Sequence, residues 1–497
     1  MPIAKNSLTL GKQSTDLQSL FAFLKMEKYD CVIVGSGPNG LSAGIFLARK
    51  GLKVLILEAS ATPGGGMRTA EVTLPGFRHD ICSAVHPMGF LSPWFQALQL
   101  DQFGLEWIFP EYSVAHPLDN QPAVLLSHSI ADTASALGAD AKAYHNILQP
   151  LVQHIDWLLA DSLKPLGIPE HPLFLAGFGM KAILPANLFA RLFFKEERAR
   201  ALFAGCAAHS ILPFDKFFTS AMGLVFLATG HVVNWPVAKG GSQSIADALV
   251  KCFLSSGGKI ECNALIRNRG QIPPSKAILF DTDPVQMADI MGDTFPSSYS
   301  KRLRNYTFGP GVFKIDYALS GPIPWKDPAC AKASTVHVGG TIEEISWAEK
   351  AAWEGRYADK PFVLVAQQSH FDNTRSPAGQ HTCWAYCHVP NGSTADLTET
   401  IEAQIERFAP GFKDLVMARS SMNTRAFFNY NQNYNGGAVT GGATDITQLF
   451  TRPVARFDPY STPDPTVFIC SASTPPGGGV HGMNGYHAAR SVLKKVF

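Results

Sequence analysis

The sequence predicts an α/β fold: a parallel-sheet domain interrupted by a second domain of mixed antiparallel sheet and helices. Three observations predict it. Residues 29–58 read strand, glycine turn, helix, strand, acid. Residues 466–493 repeat strand, glycine-rich loop, helix near the other end. Between them, a long helical stretch and several alternating strands supply the second domain.

The first stretch organises the rest. Tyr29-Asp30-Cys31-Val32-Ile33-Val34 is a short apolar run that ends at Gly35-Ser36-Gly37-Pro38-Asn39-Gly40. Residues 41–47 follow with helical spacing, and Val54-Leu55-Ile56-Leu57 ends at Glu58. Gly-x-Gly-x-x-Gly in that context is the dinucleotide-binding fingerprint of a Rossmann-type domain. Gly35 permits the tight turn, Gly37 lets the backbone approach a pyrophosphate, and Gly40 lets the helix pack on the strand. Free N–H groups at the helix start hold the phosphates, with the helix dipole behind them. Glu58 lies about 20 residues past the first glycine, where a carboxylate accepts both hydroxyls of an adenosine ribose.

The chain has 497 residues, too long for one core, so two domains or one domain with a large insertion are expected. Its 42 basic and 40 acidic residues leave a net charge of +2, which excludes a nucleic-acid footprint and an acidic solvating tail. Only 16% of residues are charged and 46% are hydrophobic, which implies a large core and a greasy surface or interior cavity. Nine scattered cysteines without Cys-x-x-Cys read as buried thiols in a reducing compartment and argue against a disulfide reductase. Residues 1–25 are rich in Ser, Thr and Gln, and Met26 is a candidate start. With Lys5, Lys12 and Lys25 but no Arg, they make a poor mitochondrial presequence, and they lack the apolar core of a secretory signal. A disordered or loosely docked tail is expected there.

After Glu58 comes Ala59-Ser60-Ala61-Thr62-Pro63-Gly64-Gly65-Gly66-Met67-Arg68-Thr69. Binding NAD does not call for a glycine cluster at this point. A flat tricyclic ring lying against the backbone does, because only glycine lacks the Cβ that would clash. Arg68 is then expected near a flavin ring or its phosphates. Leu74-Pro75-Gly76-Phe77-Arg78-His79-Asp80 leads through a turn-rich path to His86. That histidine either faces the reactive ring or is a hydrogen-bonded core residue, and the second reading is favoured.

Gly35-x-Gly37-x-x-Gly40, the cluster ending in Gly66-Met67-Arg68-Thr69, and Pro75-Gly76-Phe77-Arg78-His79-Asp80 together carry a resemblance. The chain resembles the phytoene-desaturase-like branch of the FAD-dependent amine oxidase and carotenoid desaturase superfamily. More closely it resembles the subgroup called pyridine nucleotide-disulfide oxidoreductase domain-containing protein 2, from Glu27 to the C-terminus. The resemblance implies bound FAD. Carried onto this sequence, it implies cofactor contacts at Gly35, Ser36, Gly37, Pro38, Asn39, Gly40, Glu58, Ala59, Gly65, Gly66, Met67 and Arg68.

Residues 131–233 turn helical. Ile147-Leu148, Leu151-Val152, Ile155 and Leu158-Leu159 recur at three- and four-residue steps, one face of an amphipathic helix. Residues 217–238 contain no Asp, Glu, Lys or Arg, so a membrane span has to be weighed. Gly223, Gly230, His231, Asn234 and Pro236 interrupt the run, and a core helix leading into a strand fits better. A greasy helical cap over a long apolar pocket, in peripheral contact with a membrane, would admit a lipid-like substrate without a passage through water. An ordinary helical subdomain is the alternative.

The chain then returns to the first domain. Ser242 is expected to cap a helix over 243–254, followed by strands over 259–266 and 277–281. In the resembling family this segment completes the parallel sheet, and a branched residue touches the adenine through its backbone. Ile266 fits that role best, with Leu265 as the fallback. Asp281-Thr282-Asp283-Pro284 ends a strand at the carboxyl edge of the sheet, where ligands bind. The expected division is therefore a Rossmann-type FAD-binding domain over 26–110, 232–285 and 450–497. The substrate domain with its helical cap takes 111–231 and 286–449.

Phe313-Lys314-Ile315-Asp316-Tyr317-Ala318-Leu319 alternates as a strand, and so does His381-Thr382-Cys383-Trp384-Ala385-Tyr386-Cys387-His388-Val389. Cys383 and Cys387 share one face, Trp384 and His388 the other. That spacing is wrong for zinc, and no metal is expected. These strands are expected to floor the substrate pocket. Glu343, Glu344, Glu349, Lys350 and Glu354 fall on helical spacing and read as a solvated face. Asn429-Tyr430-Asn431-Gln432-Asn433-Tyr434-Asn435-Gly436-Gly437 reads either as an Asx-turn cluster or as a polar wall over the flavin or the substrate entrance.

Thr466-Val467-Phe468-Ile469-Cys470 is the last strand. It leads through a loop of serine, proline and glycine to Gly479-Val480-His481-Gly482-Met483 and a helix through Ala488, Ala489 and Leu493. In the resembling superfamily a motif of this shape closes on the isoalloxazine ring. Its helix N-terminus points at the pyrimidine edge, where a reduced flavin carries negative charge. That implies contacts from Gly479, Val480, His481 and Met483. Many members of that superfamily carry Gly, often followed by an acid, where Ser471-Ala472 stand here, so Ser473 or Ser471 is expected to take over.

Gly309-Pro310-Gly311 precedes a strand and leads to no helix, so no second nucleotide motif is found. The electron acceptor is therefore expected to be oxygen, a quinone or another protein. His481, His86 and Tyr430 are the candidates for proton handling. The expected activity is FAD-dependent hydride removal from a hydrophobic substrate, polyisoprenoid or lipid. A flavin amine oxidase and a flavin-binding scaffold or lipid escort with little turnover are the alternatives. The expected setting is the cytoplasm or a peripheral membrane site, or the mitochondrial matrix in a eukaryote; oligomeric state stays open.

Overall fold

The computed structural model describes residues 28–497, and the tail expected over 1–25 lies outside them. Apolar runs punctuated by glycine form β1 (Tyr29–Val34), α1 (Pro38–Arg49) and β2 (Val54–Leu57). Pro38 suits the first turn of α1, where its missing N–H would have had no helical partner. The chain then leaves for β3 (Tyr112–Leu118) and β4 (Gln121–Ser127). A run of helices follows: α2 (Ala141–Gln153), α3 (Ile155–Ser162), α4 (Pro172–Ala182), α5 (Ala186–Phe193), α6 (Glu197–Ala207) and α7 (Thr219–Val233). The chain returns through α8 (Gln243–Ser255), β5 (Lys259–Glu261) and β6 (Ser275–Phe280). It leaves again for β7 (Gly311–Leu319), β8 (Ala333–Val338), α9 (Ile342–Trp353), β9 (Val363–Ala366), β10 (His381–Val389), α10 (Thr398–Phe408) and β11 (Val416–Met422). It closes with α11 (Thr424–Tyr430), β12 (Val467–Ile469) and α12 (Met483–Val496).

Five strands in the order β12-β6-β1-β2-β5 make a sheet that is parallel at every pairing. Cys31, Ile33 and Leu279 face α1, α8 and α12, while Val32, Val34 and Ile278 pack into a second cluster on the other side. Burial on both faces is why these strands read as continuous apolar runs. Seven strands in the order β11-β7-β10-β9-β8-β3-β4 make the other large sheet. Its pairings are antiparallel except where β8 meets β3. Cys383, Ala385 and Cys387 of β10 pack with Ile401 and Ile405 of α10. Trp384 packs on the opposite face with the cap helices α6 and α7. The alternation along β10 therefore accounts for its two cysteines.

Three local expectations are corrected. The helix expected through Ile147 to Leu159 is two helices, because His154 leaves helical geometry (φ −122°, ψ 42°) four residues after Pro150. The strand expected over 259–266 ends at Glu261, since Asn263 turns the chain at a positive φ of 56°. Ala264 N–H then donates to Glu58 O at 2.8 Å, carrying the segment across the end of β2. Ser242 stands at the N-cap of α8 without capping it; its hydroxyl donates to Ser83 O instead. Among the described residues, no single helix is long and apolar enough to cross a membrane. α7 is a core helix and runs on to a short strand, Val237–Ala238, paired with Trp107–Ile108.

Candidate active site

A continuous cavity of about 550 Å³ runs from the carboxyl edge of the parallel sheet into the helical cap. One end is the cradle. Gly35 turns at φ +101°, and a Cβ there would sit 2.9 Å from Asp281 O. A Cβ on Gly40 would sit 2.3 Å from Gly35 O, so the helix can approach the strand only without one. Asp281, at the end of β6, accepts from Gly40 N–H at 2.8 Å. Burial pushes its pKa up to about 7, with the nearby charge of Glu58 adding to the shift.

Glu58 ends β2 as its position predicts, and both of its carboxylate oxygens accept hydrogen bonds at the cavity wall. One oxygen accepts from Ser36 N–H at 3.0 Å and from the Ser36 hydroxyl. The other accepts from Ser60 N–H at 2.8 Å and from Arg68 at 3.1 Å. Arg68 therefore pairs with Glu58, the acid expected to hold a ribose, and itself lines the cavity. A buried carboxylate needs a cation, and Arg68 is the one within reach. Its guanidinium also donates to Thr62 O at 3.1 Å and lies over the Tyr430 ring at 5.6 Å. Tyr430 thus belongs to the cradle end of the cavity.

Ala59, Gly65, Gly66, Pro38, Asn39 and Ile266 line the cavity, as do Ser471, Ser473, Gly479 and Val480 of the second loop. The Ser473 hydroxyl donates to Gly441 O at 2.9 Å, so it braces a neighbouring loop. Gly40, Met67, His481 and Met483 are not among the lining residues. Gly40 is occupied in the helix–strand contact, and the two methionines pack in the core beside the parallel sheet. The Nδ1 of His481 accepts from Met483 N–H at 3.1 Å, in the first turn of α12. The asparagine loop contains an Asx turn and borders the cavity. Asn431 closes an Asx turn on Asn433 N–H at 3.1 Å, while Asn433 bridges to Asp281 O at 3.1 Å and to Asp283 N–H at 2.8 Å over the cavity.

The far end is aromatic. His209, Phe226, Trp235, Leu364, Trp384 and Tyr386 wall it, with His86 and Lys314 at the side. His86 is buried and hydrogen-bonded, its Nε2 meeting the Ser242 hydroxyl at 2.9 Å, and it also lines the cavity. Because that hydroxyl gives its proton to Ser83 O, His86 is the donor and its Nδ1 is left as an acceptor. Burial pulls its pKa down to about 4, so the ring is neutral at neutral pH. Behind it, Asp80 accepts from Ser242 N–H at 2.8 Å and pairs with Arg375 at 2.9 Å.

Sequence reasoning missed several groups at this end. Lys314 and Asp316 form a buried ion pair on β7, and His79 lies 3.5 Å from the same carboxylate. Burial pushes Asp316 up to about 6, against the pull of Lys314. A lysine and an acid two residues apart in an otherwise apolar strand are the signal that points to it. His209 meets His337 at 3.1 Å, from 128 residues away. Glu349 is the clearest correction: it is buried, not solvated, and both its oxygens meet His388 Nδ1, at 2.8 and 2.9 Å.

Fold and cradle define a Rossmann-type, dinucleotide-binding oxidoreductase. A family profile described as an NAD(P)-binding Rossmann-like domain matches residues 33–99. Pyridine nucleotide-disulfide oxidoreductase domain-containing protein 2 of Rattus norvegicus is 24% identical over 94% of each chain. One component of the limonene dehydrogenase of Castellaniella defragrans is 23% identical over 95% of this chain and 96% of its own. The neurosporene-forming phytoene desaturase of Rhodobacter capsulatus is 22% identical over 91% of each. The resemblance carried by the glycine motifs thus extends along nearly the whole chain. Among solved structures, an oxidoreductase from Methanosarcina mazei superposes with a TM-score of 0.64 at 16% identity, over 94% of this chain and 100% of that one. Putrescine oxidase bound to putrescine gives 0.60 at 16% identity, over 94% and 99%. These two share the fold.

Proposed function

We propose that the chain uses FAD to take a hydride from a C–H bond of a hydrophobic substrate, polyisoprenoid or lipid in kind, and so desaturates it. The observation that carries this reading is the continuity of one cavity from the cradle to an aromatic end. Two glycine loops, one after β1 and one after β12, border that same cavity, which suits a dinucleotide whose second half is a wide ring. A bound flavin supplies the hydride acceptor. The chain's own part is to hold and shield. Gly35, Gly37 and the start of α1 would hold the phosphates, and Glu58 the ribose. Phe226, Trp235, Leu364 and Trp384 would hold an apolar chain and exclude water. His86, neutral and fixed by Ser242, offers Nδ1 as a proton acceptor.

The amine oxidase reading ranks second for a specific reason. The acids bordering the cavity are Glu58, Asp281 and Asp283, all in the cradle half. Asp316, near the aromatic end, is taken by Lys314. A cationic amine would find no free carboxylate there. Limonene and phytoene, in the names of two relatives, are hydrocarbons. With one nucleotide motif in the chain, oxygen, a quinone or a partner protein is the proposed electron acceptor. The test is to record the visible spectrum of the purified protein and identify its extracted small molecules by mass spectrometry. FAD with a long apolar molecule is expected. NAD(P) in place of FAD would sink the cofactor assignment, and a copurified amine would move the second reading to first.

A further inference from the structure

α4 is apolar along its length, Pro172-Leu173-Phe174-Leu175-Ala176-Gly177-Phe178-Gly179-Met180-Lys181-Ala182, yet only Ala182 is buried. Phe174 and Phe178, one turn apart, pack on the core of the cap. Leu173, Ala176, Met180 and Ile183 recur at helical steps and form a separate stripe. That stripe faces outward: Leu173 is 89% exposed, Met180 72% and Ile183 41%. The approach to α4 adds Leu166 at 71% and Ile168 at 92%. Single exposed apolar residues are ordinary, whereas a contiguous stripe marks a surface that something covers.

We propose that the α4 stripe, with the approach through Leu166 and Ile168, rests in the headgroup and outer acyl layer of an anionic lipid bilayer. Charge favours this occupant. Residues 164–195, which span the approach and both helices, contain Lys164, Lys181, Arg191 and Lys195 against one acid, Glu170, which pairs with Lys164 at 3.2 Å. Lys181, at the end of the stripe, has an aliphatic stem that can lie along it while its ammonium reaches lipid phosphates. Two copies paired through this face would bring like charges together. The geometry makes α4 a helix that lies on the bilayer, not one that crosses it. α4 and α5 are bent 97° apart, and α5 is held to the protein by buried Ala186, Phe189 and Ala190. The inference does not rest on the proposed substrate, since lipid binding is read without turnover.

The experiment is co-flotation of the purified protein with vesicles of equimolar phosphatidylcholine and phosphatidylglycerol, and with vesicles of phosphatidylcholine alone. The protein is expected to float with the anionic vesicles. Each of L173Q and M180Q should weaken binding by about tenfold. K181Q should reduce the preference for the anionic vesicles. Both apolar positions are exposed, so the thermal unfolding of these variants should match that of the parent, which separates loss of lipid contact from loss of fold. Failure of the parent protein to float overturns the proposal, as does undiminished floating of the double variant. So does a dimer in solution that L173Q and M180Q dissolve while no vesicle binding occurs, because the stripe then belongs to a second copy.

Discussion

Nε2 of His209 lies 3.1 Å from Nε2 of His337, so one ring donates and the other accepts. His209 borders the cavity and stacks on Phe226 at 4.6 Å, while His337 is fully buried. Burial pulls His209 from 6.5 to about 3, with the charge of His388 adding to it, and holds His337 well below its ordinary value. A histidine depressed in this way contributes stability above its unfolded pKa and loses it as pH falls through the folded value. The pair should therefore lose stability from about pH 6.5 downward. H209F keeps the aromatic contact but leaves His337 unpartnered, at a cost of about 1–3 kcal/mol at neutral pH. Thermal unfolding against pH should show a shallower acid slope for H209F; an unchanged slope contradicts the neutral pair.

Asp281 carries the opposite sign. Its folded pKa, raised from 3.8 to about 7, favours the protonated acid in the fold. Its contribution is full below pH 3.8 and is lost as pH rises through about 7. D281N keeps an acceptor for Gly40 N–H and cannot ionise. It should be more stable than the parent at pH 8 and nearly match it at pH 4, by thermal unfolding without added dinucleotide. Equal stability at both pH values would show that Asp281 ionises freely in the fold.

Arg375 holds two carboxylates, Asp80 at 2.9 Å and Asp372 at 3.0 Å, all three side chains buried. R375M leaves both charges without their cation and should cost about 3–5 kcal/mol. Because Asp80 also fixes Ser242, and Ser242 fixes His86, the damage should reach the cavity wall. Adding D80N to R375M should recover part of the loss in denaturant unfolding. No recovery would mean that the ion pair is not what the arginine supplies.

Gly40 is limited by space. The Cβ of G40A would fall 2.3 Å from a backbone oxygen, so α1 or the glycine turn must move. The expected result is a protein that folds with a penalty of about 1–3 kcal/mol and binds FAD poorly. The ratio of flavin to protein absorbance after purification measures it, and a normal ratio would count against the cradle as drawn.

Much of this architecture was legible because it is local. The β1–α1–β2 unit follows from an apolar period that changes at glycine, and β10 spans the same residues as its alternating pattern. What the sequence hid depends on partners far along the chain. Nothing near Glu349 marks it as buried, since its partner His388 is 39 residues on. The pairing of Arg68 with Glu58, ten residues before it, is not marked by any local pattern. His481 sits in a loop of the expected kind, but the first turn of α12 takes its Nδ1. β5 stops short at a single positive φ that an asparagine allows and no period reveals.

The central proposal is that one cavity joins a flavin to an apolar substrate. Its most direct test is anaerobic mixing of the FAD-loaded protein with an apolar polyene or with a primary amine, following the visible absorbance of the flavin. The account predicts bleaching by the polyene and little change with the amine. Bleaching by the amine alone would contradict it.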